Sequence, residues 1–337
     1  MRAGHAAGRA LPSAPKNIFD SAMAYACNDR HILRCSRQIV LKAMDQVRTS
    51  MRGLNRLPMG NVVENSGVEK AALNPTKAID RDTEDLVIAA LGKKFSEIAD
   101  LGPYTIFSEE AGIQTFPEGS READARWVVF VDPIDGTEFA EALQGGWCLL
   151  GIYDRLEDEV AVVVAGDIFL DRLFWASRSG DAEALDFITH SWFRLDGGPN
   201  PKPSLAGARV NLLTTKVSRY LAVAQQRALL EAIEENDGRI NLAWGSNLII
   251  QVAAGYADVG LEFAKGFATY DILPGLFIAE KAGLTVLDLQ GNRLSSRLKI
   301  DEIFQTYRDN PKKPQRTPFV VAKKSELANQ VVELLRL

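Results

Sequence analysis

Residues 127–137 read WVVFVDPIDGT. Five apolar residues in a row, from Trp127 to Val131, predict a buried strand. Pro133 has no N–H to give to a ladder, so the strand is expected to stop at Asp132. Ile134, Asp135, Gly136 and Thr137 then read as the start of a turn or helix. Two carboxylates therefore stand three positions apart at the mouth of a core strand, where charge is rarely placed unless something pairs it.

Two readings suit that D-x-x-D spacing. In the first, Asp132 and Asp135 are helix N-caps in an ordinary turn. In the second, they hold a hard cation. Mg²⁺ takes oxygen ligands from carboxylates, waters and substrate phosphate, and the Ile134 carbonyl between the two acids adds another oxygen. Gly136 lets the backbone approach a ligand closely. The amides of Gly136 and Thr137, if they open a helix, can bind a phosphate oxygen.

The chain has 337 residues, which suggests two domains. Its 46% hydrophobic and 25% charged content is ordinary for a globular protein. A net charge of −5, with no dense Lys/Arg block, argues against a nucleic-acid partner. No apolar run reaches membrane-spanning length. Cys27, Cys35 and Cys148 are scattered, which suits a reducing, cytoplasmic setting and neither a disulfide framework nor a zinc site. With only His5, His31 and His190, a histidine metal site or a catalytic triad is poorly supplied.

Residues 1–16 are basic, rich in Ala and Gly, and lack both acids and the apolar core of a secretory signal. Residues 1–25 are expected to be a tail. Apolar residues at helical spacing from Ile32 to Met51 predict a long amphipathic helix, ended by Gly53 and Pro58. A second helix starts near Asp80, with acids in its first turn and lysines in its last. Residues 104–107 form a short strand ending at Ser108, Glu109 and Glu110. Residues 147–153, 160–165 and 172–176 read as successive antiparallel strands. Three prolines and three glycines in DGGPNPKPSLAG, 196–207, mark the break between domains. A first domain is expected over 26–198, a linker over 199–207 and a second domain over 208–337. In the latter, strands at 210–213, 240–243, 259–263, 285–289 and 319–322 alternate with helices at 218–235, 245–254, 271–282 and the C-terminal stretch, an α/β pattern.

DPIDGT resembles the signature of the inositol monophosphatase superfamily of metal-dependent phosphomonoesterases, which includes fructose-1,6-bisphosphatases and 3'-phosphoadenosine 5'-phosphate phosphatases. Other parts of the family pattern follow in order. Glu109 of the Glu-Glu pair resembles the metal-binding glutamate. Asp80 and Glu84 match the acid-then-glutamate spacing of the second helix, with Asp82 a rival for the first role and Thr76 one residue early. Tyr270–Asp271 stands where the family has Trp-Asp. The run WGSNLIIQVAAGYADVGLEF resembles the segment that borders the substrate, with Gly245, Ser246 and Asn247 at its helix start and Glu262 at its end. Two departures stand out. Glu138 replaces an Asn after Thr137, and two extra residues, with Lys265 among this segment, lie between Glu262 and Asp271. The resemblance covers roughly residues 71–288.

The resemblance implies a fold combining α+β and α/β parts, a two-domain αβαβα sandwich of the sugar-phosphatase type with the site between the domains. It implies two or three Mg²⁺ ions held by Glu109, Asp132, the Ile134 carbonyl, Asp135 and Asp271. Such ions activate a water and stabilise the leaving oxygen. Glu109 and Thr137 would position that water, with Asp80 supporting Thr137. Gly136, Thr137, Gly245, Asn247 and Glu262 would bind substrate. An inositol monophosphate or similar sugar phosphate is the first substrate expected, and a nucleotide or fructose bisphosphate the alternative. The resemblance also implies lithium sensitivity and a homodimer. A non-catalytic member that binds a sugar phosphate or a protein partner is the reading from another class, and the full set of carboxylates weighs against it.

Overall fold

The computed structural model describes residues 17–52, 61, 77–98, 101–213, 217–243, 245–311 and 314–335. Residues 1–16, Gly53, Pro58, Thr76 and Trp244 lie outside the described residues.

The opening stretch becomes β3 (Trp127–Asp135), buried along its whole length. Alternate side chains point to opposite faces of a strand, and here each face meets a core. Val128 and Phe130 pack with Phe107, Leu149 and Phe174. Trp127, Val129 and Val131 pack with Ile106, Leu150 and Val162. Burial on both sides accounts for an unbroken apolar run where a half-exposed strand would alternate. β3 lies parallel to β1 (Tyr104–Ser108) and antiparallel to β4 (Trp147–Asp154). With β2 (Gly112–Phe116), β5 (Glu159–Asp167), β6 (Arg172–Ser177), β7 (Ala182–Asp186) and β8 (Ser191–Arg194) they form an eight-stranded sheet in the order β2-β1-β3-β4-β5-β6-β7-β8.

Helices α1 (Asn17–Arg52) and α2 (Ala78–Ser96) cover one face of this sheet through Ile39, Met44 and Val47 and through Val87 and Leu91. The other face is covered by α6 (Leu248–Ala253) and α7 (Thr269–Ala282), whose Ile249, Leu273 and Ile278 share a core with Phe130. The same core reaches Phe319 and Val321 of a second sheet. That sheet has five strands, β9 (Arg209–Leu213), β10 (Arg239–Ala243), β11 (Val259–Phe267), β12 (Thr285–Leu287) and β13 (Thr317–Ala322), in the order β10-β9-β11-β13-β12. Its far face carries α5 (Arg227–Glu235) and α9 (Ser325–Leu335), with Leu229, Ile233, Leu327 and Val331 on Val210, Leu261 and Val320. The layers therefore run αβαβα, as the resemblance implies. The chain crosses from the first sheet to the second between β8 and β9, through the Pro- and Gly-rich residues 196–207. Among the described residues, no helix is long and apolar enough to cross a membrane.

Several local expectations are corrected. β3 does not stop at Asp132 but runs through Pro133 to Asp135. β1 has already ended at Ser108 opposite Val131, so Pro133 has no ladder partner to lose on that side. Toward β4, Asp132 faces Leu149 and Asp135 faces Trp147, three steps against two. This is a bulge that absorbs the extra residue. The single helix expected over 218–235 is two, α4 (Val217–Ala224) and α5, because only α5 lays a full apolar face on the sheet. Residues 17–25, expected as tail, belong to α1. Strands β2, β7 and β8 and helix α8 (Ile300–Asp309) are additional elements.

Candidate active site

The parallel pairing of β1 with β3 builds the site. Ser108 is level with Val131, so the next residues stand side by side, Glu109 just past the end of β1 and Asp132 still within β3. Between the two sheets, α7 begins at Thr269 and brings Asp271 to the same point. One oxygen from each of Glu109, Asp132 and Asp271 lies within 4.8 Å of the others. Full charges at that spacing repel by roughly 3–4 kcal/mol per pair at an effective dielectric near 20. A cluster of this kind is stable only if protonated or if a cation sits among the acids.

Hydrogen bonding restrains the cluster without neutralising it. Asp132 Oδ1 accepts from the Ile134 amide at 3.1 Å. Asp271 Oδ2 accepts from the Ala268 amide at 3.0 Å, fastening the first turn of α7. Asp271 Oδ1 is buried with no hydrogen-bond partner. Burial, with Glu109 and Asp135 adding repulsion, pushes the Asp271 carboxyl up to about 8. Burial raises Asp132 well above the usual carboxylate range too, reinforced by Glu109, Asp271, Asp135 and Asp80. The donor set is all oxygen, with one buried oxygen left without a partner, and this suits a hard cation such as Mg²⁺. Cys148 supplies no thiolate, because burial and the nearby Asp132 hold its thiol protonated.

Asp135 stands beside the three-acid cluster rather than in it. Its Oδ2 accepts from Ser246 twice, from the amide at 2.6 Å and from the hydroxyl at 3.0 Å. Burial raises its carboxyl to about 6, and the bonds from Ser246 oppose the shift. The loop that carries Ser246 fits closely. Gly245 has φ +78°, and a Cβ there would come 2.5 Å from Asp135 Oδ2. Asn247 follows, fully buried, at the N-cap of α6. Ser246 was expected at the substrate border with Gly245 and Asn247, but not as the partner of Asp135. Its signal was its place between Gly245 and Asn247, but the bond to Asp135 spans 111 residues of chain.

Beyond β3, Gly136 takes a left-handed conformation (φ 86°) and caps the short helix α3 (Thr137–Glu141). Thr137 Oγ1 donates to Asp80 Oδ1 at 2.8 Å and lies 3.2 Å from the Ile134 carbonyl. Asp80 Oδ2 accepts from the Lys77 amide at 3.0 Å. Of the two rival acids, Asp80 is thus the one bonded to Thr137. Burial raises Asp80 to about 7, against the bonds from Lys77 and Thr137. Lys77 also pairs with Glu141, tying the start of α2 to α3.

One turn along α2, buried Glu84 has its carboxyl raised to about 7 by burial, with opposing bonds to Ser108 and to backbone of the following loop. Glu84 therefore braces the turn that presents Glu109. The expected substrate residue Glu262 is also buried, but its Oε1 accepts from the Lys265 amide at 2.5 Å and the Gly266 amide at 3.1 Å. One of its oxygens is committed to the chain's own backbone, where β11 departs from regular pairing between Glu262 and Phe267.

Comparison with known proteins identifies the family and the fold. The description "Inositol monophosphatase family" matches residues 28–336. Among solved structures, an IMPase of Thermotoga maritima superposes with a TM-score of 0.61 at 17% identity, covering 89% of this chain and 94% of its own. An inositol monophosphatase from Anabaena (Nostoc) gives 0.61 at 16%, covering 92% and 96%. Mycobacterium tuberculosis SuhB gives 0.59 at 17%, covering 90% and 95%. A search of curated protein sequences returned no match.

Proposed function

This chain belongs to the inositol monophosphatase family, and from that premise we propose that it is a Mg²⁺-dependent phosphomonoesterase of a small phosphorylated metabolite. The observation that carries the reading is the group Glu109, Asp132 and Asp271, with the Asp271 Oδ1 atom buried and unpartnered. Those three residues, with the Ile134 carbonyl and Asp135, would hold two or three Mg²⁺ ions. When bound, such ions neutralise phosphate oxygens and lower the pKa of water.

The chain's own groups do the rest. The Thr137 hydroxyl donates its hydrogen bond to Asp80, so the threonine oxygen would accept one from a water. Glu109, beside it, would take the water's second proton or orient it. The amides of Gly136 and Thr137 would face a phosphate oxygen. The Ser246 bonds hold Asp135 in one rotamer, so the ligand set is built before a substrate arrives. An inositol monophosphate or similar sugar phosphate is the first substrate proposed. Lithium inhibition, a dimer and a cytoplasmic setting accompany that reading.

The test is phosphate release from inositol 1-phosphate, 3'-phosphoadenosine 5'-phosphate and fructose 1,6-bisphosphate, each with Mg²⁺ and with chelator. Release from one of them that chelator abolishes is expected. Release that persists in chelator would contradict the metal site.

A further inference from the structure

The two edges of the second sheet are finished differently. At one, β12 is closed by a bridge from Leu287 to Arg293. At the other, β10 pairs with β9 alone among the described residues. An open edge is a row of unpaired N–H and C=O groups, which folds commonly blunt with proline, lysine, a bulge or a covering element. Arg239–Ala243 reads RINLA and pairs with β9 in unbroken register, so it has none of the first three. Its first four residues are exposed.

The parallel ladder fixes which groups face outward. The Arg239 amide donates to the Ala208 carbonyl at 2.8 Å. Alternate residues of a parallel strand bond to the same neighbour, so Arg239, Asn241 and Ala243 face β9. Ile240 and Leu242 then turn both backbone groups to the open side. The same two residues are 39% and 62% exposed. They lie level with Val210 and Leu212, on the sheet face that carries α5. Asn241 is on the opposite face, where its amide donates to Asn211 Oδ1 at 2.9 Å.

A second copy of β10 fits this edge when it runs antiparallel about a two-fold axis at Asn241. Ile240 then opposes the partner's Leu242, and Leu242 the partner's Ile240. Each such pair exchanges two hydrogen bonds, so the outward groups of both copies are satisfied and the assembly closes. The four apolar side chains meet on one face, beside α5 of each copy. Arg239 opposes the partner's Ala243, so the register sets no like charges opposite one another. A stable dimer buries about 800 Å² of each partner, more than one short strand supplies. α4 begins four residues after β9 ends and leaves Val217, Tyr220 and Leu221 exposed, so further apolar surface stands at this end of the sheet.

We infer that the β10 edge is a self-association surface, through which two copies join their second sheets into one continuous sheet. The occupant is a second copy and not a foreign strand, because one register satisfies the backbone, apolar and charged positions of both edges at once. The inference concerns assembly and stands whether or not the chain is a hydrolase.

The experiment uses the full chain, in analytical ultracentrifugation and in cysteine cross-linking. Asn241 is the residue that would oppose itself across the axis, in a pair without mutual backbone bonds, where Cα atoms stand about 4.5 Å apart. A disulfide can span that distance. Asn241→Cys should therefore give a covalent dimer under mild oxidation. Arg239→Cys should not, and neither should the wild type, whose Cys35 and Cys148 are buried. An Ile240→Lys/Leu242→Lys double variant should raise the dimer dissociation constant by about tenfold or more, with circular dichroism unchanged. A wild type that stays monomeric at every concentration would overturn the inference. A dimer that persists in the lysine variant and does not cross-link through position 241 would overturn it as well, because the copies would then meet on another face. If the lysine variant fails to fold, cross-linking at 241 against 239 decides alone.

Discussion

The strand pair β3–β4 has buried acids at both ends, and the two ends are built in opposite ways. At one end Trp127 pairs with Asp154. Asp154 is fully buried and is gripped by Arg126 at 2.8 and 2.6 Å and by Arg178 at 3.3 Å. Arg178 also holds Asp29 of α1 and Glu159 of β5. Burial alone would raise the Asp154 carboxyl, but the arginines outweigh it and hold it below its ordinary value. At the other end Asp132 and Asp271 are also buried, have no arginine salt bridge among the described residues, and are pushed up. The same fold thus neutralises one set of acids internally and leaves the other without such a partner. The first arrangement serves stability, and under the proposed function the second would be completed by an external cation, at a cost in stability without it.

The largest effect should come from the acid end. Asp132→Asn keeps the shape but removes a ligand, and turnover of any accepted phosphomonoester should fall by about a thousandfold or more. Circular dichroism should show the fold unchanged. Unaltered turnover would remove Asp132 from the site. At the arginine end the reverse is expected. Arg178→Met strands Asp29 and Asp154 without their shared partner, and denaturant unfolding should show a loss of about 3 kcal/mol, while kcat per folded molecule holds. A loss of activity without a loss of stability would mean that the two ends are not distinct.

Gly245→Ala is a finer probe. The new Cβ meets Asp135 Oδ2 in a left-handed backbone, so a destabilisation of about 1–2 kcal/mol is expected. Turnover should fall further than that loss explains, because Asp135 is displaced. Equal effects on stability and turnover would reduce the loop to scaffolding.

The two ends should also respond to pH with opposite sign. Asp135 and Asp271 have folded pKa values of about 6 and about 8, against about 3.9 when unfolded. The folded state then binds more protons than the unfolded one between these limits. Metal-free stability should therefore fall as pH rises from about 4 to about 8. Asp154 is shifted downward, so its contribution is present above about pH 4 and is lost only in stronger acid. Melting temperatures of the chelated protein across pH 4–8 check the first slope. A flat or rising slope would mean that the acid cluster does not take up protons on folding, contrary to the account.

Much of this was legible in the sequence because it is local. An apolar run ending in DPIDGT specifies a buried strand that delivers acids, and the helical spacing from Ile32 to Met51 specifies the cover over one sheet face. The rest depends on partners distant in sequence. Asp80 has the expected spacing to Glu84, but Asp82 stands two residues on as a rival, and the bond to Thr137, 57 residues away, separates them. That β3 continues through Pro133 follows from where β1 ends and from the bulge against β4, properties of the sheet and not of the strand. Glu262 was placed by its match to the family segment, and spacing could not tell that the irregular stretch after it turns one carboxylate oxygen onto the Lys265 and Gly266 amides. Helix α8 is a different case. Ile300 and Phe304 bury one helical face, with Tyr307 against Phe107, and that spacing was readable.

The most direct test is a Mg²⁺ titration of the melting temperature at pH 7.5, for wild type and Asp132→Asn. If the acid end is built for a cation, Mg²⁺ should raise the wild-type melting temperature by several degrees. The metal-free variant, relieved of one repelling charge, should start above metal-free wild type and respond weakly to Mg²⁺. A wild-type melting temperature indifferent to Mg²⁺, or a variant that starts lower and gains as much, would contradict the account.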